Sequence, residues 1–152
     1  MADADAGTPA GDARPAFSPV VALLTVSAVW EARLDAALRD HGLTTRKYGL
    51  LAHIRSTPGI SFSELARRSQ ITVQSAHTAV KALVDAGFVA DATAHAGSAS
   101  DLRVTEAGER VLGDAEGHLA SLDAELRGGA PSLSAALDGL HEEPFTGNLQ
   151  AD

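Results

Sequence analysis

Residues 61–89 read SFSELARRSQITVQSAHTAVKALVDAGFV, and the way this stretch divides decides the fold. Ser61 and Glu64 have the S-x-x-E spacing of a capping box, which predicts that a short helix starts there. Ser69-Gln70 reads as a tight turn. Thr72 is an N-cap for a second helix to Ala86, and Gly87 closes it. In that helix Val73, Ala76, Val80, Leu83 and Val84 form the expected buried side. Gln74, Ser75, His77, Thr78 and Lys81 fall opposite, at helical spacing.

Upstream, Thr44 or Thr45 caps a helix through Tyr48, Leu51 and Ile54, ended by Ser56-Thr57-Pro58-Gly59. Before it, Ser18-Pro19 supplies an N-cap and a first-turn proline, and the helix runs to about Asp40 with Gly42 beyond its end. Leu23, Val26, Trp30, Leu34 and Leu38 make its apolar stripe. Val20, Val21, Leu24 and Val29 widen that stripe, which predicts packing on more than one partner. Downstream, FVADATA (88–94) and DLRVT (101–105) read as a two-stranded hairpin around a Gly/Ser/Ala tip. A long helix from Thr105 carries Val111, Leu112, Ala115, Leu119, Leu122 and Leu126 and ends at Gly128-Gly129. Pro131-Ser132 opens a last helix with Leu133, Leu137 and Leu140. Helix, short helix, turn, helix and hairpin together give the winged helix-turn-helix order, a mainly α fold with a two-stranded β wing.

The chain of 152 residues is 45% hydrophobic and has no cysteine, which excludes disulfides and thiolate metal sites and fits the cytoplasm. Residues 1–16 have little to bury and read as a disordered tail, too acidic for a signal peptide; residues 142–152 read as a second tail. The apolar run 20–30 is too short for a bilayer, so no membrane partner is expected. The net charge of −8 is unevenly spread. Residues 44–110 hold eight basic and six acidic side chains, a net +2, which leaves −10 for the flanks. Any anion-facing surface therefore lies in the middle.

The outward row of the helix after Thr72 suits base edges: Gln pairs bidentately with adenine, and Ser or Thr with several partners. Lys81 and the Arg67-Arg68 pair suit phosphates. The competing reading is a merely solvated helix face. Six histidines (41, 53, 77, 95, 118 and 141) include no pair at i, i+4. Asp114 and His118 share a face, but two ligands make no zinc site, so no metal is expected. No nucleophile elbow, P-loop or dinucleotide fingerprint is present, so neither an enzyme nor a cofactor is expected.

LTTRKYGLLAHI (43–54), the 61–89 stretch and LRVTEAGERVL (102–112) resemble the MarR family of transcriptional regulators over about residues 18–140. The resemblance implies a homodimer, with helices at 17–42 and 105–141 interleaving between chains. It implies that 43–104 is a DNA-binding region presenting the helix 72–86 to half of a pseudo-palindromic operator. The contact set implied is Ser61, Ser63, Arg67, Arg68, Thr72, Gln74, Ser75, His77, Thr78, Lys81, His95 and Arg103. It also implies a repressor released by a small aromatic or anionic effector, with Trp30 and Tyr48 near the effector cleft or, alternatively, simply packed in the core or dimer interface. The family wing carries an Arg at its tip, whereas residues 94–100 here are AHAGSAS, and no Lys or Arg stands between Lys81 and Arg103. The alternative is therefore a winged-helix dimer that has lost DNA binding and serves as a ligand-binding or protein-interaction module.

Overall fold

The computed structural model describes residues 17–92 and 100–142. The tail readings for 1–16 and 143–152, most of the wing tip and His95 lie outside the described residues.

The first five helices each begin on a side-chain cap. Helix α1 (Pro19–Leu38) starts at Ser18, whose Oγ accepts the N–H of Val21. It tightens into a 3₁₀ turn at Arg39–His41, closed by Gly42 at φ +70°. Helix α2 (Thr45–Ser56) is capped by Thr44, the first of the two threonines. Helices α3 (Phe62–Arg68) and α4 (Val73–Asp85) are capped by Ser61 and Thr72. Between them Gln70 adopts φ +54°, the left-handed conformation a tight corner needs. Strands β1 (Val89–Asp91) and β2 (Leu102–Val104) pair antiparallel, Val89 opposite Val104. Helix α5 (Glu106–Gly129) runs through both glycines and stops at Ala130, which leaves the helical region (φ −145°, ψ 65°) before Pro131; α6 spans Pro131–Glu142.

The core centres on α2. Its Leu50, Leu51 and Ile54 are fully buried against Leu38, Leu65, Leu83, Leu102 and Leu112 from the surrounding elements. Burying each such side chain contributes about 1.5–3 kcal/mol. The apolar residues left outside are concentrated on α1 and α6. Val20 (65% exposed), Val21, Leu24, Val29, Leu137 and Leu140 face solvent. An apolar row of this kind on one chain marks an interaction surface.

One threonine ties α4, the hairpin and α5 together. The Thr105 N–H donates to Phe88 O, its Oγ1 donates to Gly87 O at 2.6 Å, and the same Oγ1 accepts the N–H of Gly108. Gly108 lies so close that an added Cβ would stand 2.3 Å from Phe88 O and 2.6 Å from Val104 Cγ1. An alanine normally gains up to about 1 kcal/mol in a helix. Here a backbone oxygen must move, and overpacking costs about 1–3 kcal/mol. Gly108→Ala is therefore expected to lower stability in urea unfolding. Gly113→Ala, with open space around its Cβ, is expected to raise it. A Gly108→Ala protein as stable as the parent would disprove the close joint.

Candidate nucleic-acid interface

Helix α4 packs along a seam of Ala76, Val80 and Leu83, all buried. Val73 (43% exposed) and Val84 (36%), expected on this side, lie on the helix shoulder instead. At 100° per residue they sit about 60–80° round from Ala76, where the neighbouring helices no longer reach. The outward row is Gln74, Thr78, Lys81 and Asp85. Ser75 lies on one shoulder, half-buried and hydrogen-bonded to the Thr72 hydroxyl at 2.9 Å. His77 lies on the other, exposed, its ring stacked on Phe62 with centroids 3.7 Å apart. Thr78 Oγ1 donates to Gln74 O, which leaves its lone pairs to accept. The Gln74 side chain has no hydrogen bond among the described residues, so its amide is available for a base edge.

A groove of about 450 Å³ follows this row, lined by Phe62, Gln74, His77, Thr78, Lys81, Asp85 and Asp91. A second groove, of about 530 Å³, crosses the start of α4 and gathers Arg46, Arg67, Gln70, Thr72 and Ser75. Arg46 and Gln70 are additions to the contact set expected from the sequence. Arg46 carried only a place in the charge balance there. It reaches the groove because the Ser69–Ile71 turn folds back beside the first turn of α2.

The expected phosphate-binding cations are already paired. Arg67 and Arg68 both hydrogen-bond to Glu64, at 2.6–2.8 Å. Lys81 reaches Asp85 at 2.9 Å, and Arg103 Nε reaches Asp101 at 2.8 Å. The hydrogen bonds from Arg67 and then Arg68 lower the Glu64 pKa to about 2. This acid is depressed in the fold, so its pairing is kept at all pH values above that and is lost only as pH falls through it. Arg46 has no ion pair among the described residues. Exposed pairs contribute only about 0–1 kcal/mol each, so a phosphate can displace the carboxylates, though each exchange reduces the net gain. Ser61 Oγ is committed to capping α3, while Ser63 is exposed on it.

Trp30 on α1 is half-buried, with the Arg33 guanidinium 4.6 Å above its ring. Tyr48 on α2 is half-buried against the core. Elsewhere His41 Nε2 stands 3.0 Å from His118 Nε2, with Asp114 3.8 Å from the other nitrogen of His41. No cluster of three metal-ligating side chains is arranged to hold an ion among the described residues. No helix among them is long and apolar enough to cross a membrane.

The profile of the MarR family matches residues 41–97. HTH-type transcriptional repressor Rv2887 of Mycobacterium tuberculosis is 33% identical over 105 residues, 68% of this chain and 76% of that protein. The crystal structure of M. tuberculosis MarR family protein Rv2887 in complex with DNA superposes with a TM-score of 0.67 at 28% identity, covering 84% of this chain and 97% of that one. Its complex with salicylic acid gives 0.65 at 29% identity, covering 84% and 96%. A MarR family regulator from Rhodococcus sp. RHA1 shares the fold at TM-score 0.73 and 21% identity, over 88% and 99%. The mainly helical architecture with its two-stranded wing is that of these winged-helix structures. The chain belongs to the MarR family of transcriptional regulators.

Proposed function

We propose that this protein is a homodimeric, DNA-binding repressor, released by a small ligand and acting in the cytoplasm. The observation that carries the reading is the exposed outward row of α4, with the Gln74 amide unbonded among the described residues, Thr78 and Lys81 beside it and Arg46 at its foot. Gln74 and Thr78 read base edges; Arg46, Arg67, Arg68, Lys81 and Arg103 hold phosphates once their carboxylates give way. Ser61, Ser63, Thr72 and Ser75 contribute backbone-directed contacts, and His77 flanks the row. His95 belongs to the same set but lies outside the described residues. Residues 43–104 form this DNA-binding region.

Residues 17–42 and 105–141 are the dimerisation part, and two copies of the exposed α1 and α6 rows cover each other. The related repressor's complexes with DNA and with salicylic acid support both halves of the reading, operator binding and a small aromatic acid as effector. Trp30 and Tyr48 remain effector-contact candidates. A pseudo-palindromic operator follows from two-fold symmetry. A second reading is a dimer without DNA binding. The carboxylate partners of Arg67, Arg68, Lys81 and Arg103 favour it, as does the uncharged sequence of the wing tip.

Fluorescence anisotropy with duplex from upstream of the protein's own gene separates the two. Tight, salt-dependent and sequence-selective binding is expected; affinity equal to that for random duplex supports the second reading. Gln74→Ala should cost about 1–3 kcal/mol at the preferred base and relax the choice there. Arg46→Ala should weaken all duplexes alike and reduce the salt slope by about one. Asp85→Asn should tighten binding to every duplex by releasing Lys81; unchanged or weaker binding would show that Lys81 does not meet phosphate. Leu24→Glu should shift sedimentation equilibrium toward monomer, and an unchanged dimer would exclude the α1 face from the interface.

A further inference from the structure

The two grooves on α4 differ in charge. The one at the start of the helix gathers the guanidinium groups of Arg46 and Arg67, which suit phosphate. The one along the outward row has an apolar floor of Phe62, Val80 and Val84, and its charged lining residues are Lys81, Asp85 and Asp91. Two carboxylates against one ammonium make it a poor seat for a phosphate and leave it to the uncharged edges of bases. His77 stands at its edge, exposed, with one ring face covered by Phe62: the centroids are 3.7 Å apart and the planes 19° from parallel. Phe62 is itself anchored. It opens α3 behind the Ser61 cap and packs against the core. The imidazole is thus oriented before any contact is made, which lowers the entropy lost on binding. Neither of its nitrogens has a hydrogen-bond partner among the described residues. A neutral imidazole carries one N–H donor. Val80 stands at i+3 from His77, close enough on the helix surface for the two side chains to share one contact.

We infer, resting on the reading of the chain as a DNA-binding regulator, that the Phe62–His77 stack is a thymine reader and that His77 is a specificity-determining residue of α4. In the major groove thymine alone sets the O4 acceptor beside a 5-methyl group. His77 offers the matching pair of contacts. An N–H at the ring edge donates to O4, and the methyl settles on the apolar floor beside the ring, against Phe62 and Val80. Cytosine presents an amino group in place of O4 and has no methyl, so it loses both contacts. Gln74, whose amide suits adenine N6 and N7, stands at i, i+3 to His77, one turn of the same helix. The preferred duplex therefore holds an adenine and a thymine at adjoining positions. Lys81 and Asp85, engaged with each other at 2.9 Å, border the stack without competing for either contact.

Removing the methyl alone tests this. The full chain is titrated with the duplex from upstream of its own gene in two forms, one ordinary and one with uracil in place of every thymine, which keeps O4 and the base pairing. Wild type should bind the uracil form at least about fourfold more weakly, the worth of one buried methyl. His77→Ala, at an exposed position that leaves the core untouched, should bind the two forms within about twofold of each other. His77→Phe, which restores a flat ring over Phe62, should restore the difference while binding both forms more weakly than wild type for want of the N–H. Gln74→Ala should keep the difference. Equal affinity of wild type for the two forms, with selectivity over random duplex intact, overturns the thymine reader and leaves the DNA reading standing. A difference that persists undiminished in His77→Ala shows that the methyl is sensed elsewhere and overturns the assignment to His77. Wild type that binds its own duplex no better than random duplex overturns the DNA reading and this inference with it.

Discussion

The tight corner between α3 and α4 is the constraint on which the rest depends. Ala66 and Ala76 are buried at this seam, small enough for the two helices to lie close. The Ile71 N–H bonds to Ala66 O at 3.0 Å, and Gln70 turns left-handed to let it do so. With the corner closed, the Ala76–Val80–Leu83 stripe must face inward, and Gln74, Thr78 and Lys81 must face out. A larger side chain at either alanine would push α4 away and rotate that row off its axis.

The charge arrangement on this face gives a surface that waits. Four of its cations are held by neighbouring carboxylates in exposed pairs, weak enough that a phosphate could displace the carboxylate. Sequence-independent attraction is thereby reduced. In the proposed interface, discrimination would then fall more heavily on uncharged groups such as the Gln74 amide.

The element boundaries were legible because capping is local. Ser18, Thr44, Ser61, Thr72 and Thr105 each accept a backbone N–H three residues on, a relation visible in the letters alone. The Lys81–Asp85 and Glu64–Arg68 pairs also stand at i, i+4, yet attention to the cations alone passes over them. Val73 and Val84 misled because an apolar side chain on a helix shoulder looks like core until the width of the neighbouring helices is known. Arg46 lines the groove at the start of α4 only because residues more than twenty positions apart meet around the Ser69–Ile71 turn. No spacing rule reports such a meeting.

Thr105 has a consequence beyond holding the hairpin. Its side chain bonds to the Gly87 carbonyl just past the end of α4 and to the Gly108 N–H at the start of α5, its own N–H bonds to Phe88 O, and Gly108 leaves little room between them. The junction is therefore a weld rather than a hinge. A rotation of α5, 24 residues long, about this joint would carry the end of α4 with it. If two chains pair through their long helices, the span between their two α4 helices is set like the jaws of a caliper, by the angle at a single threonine.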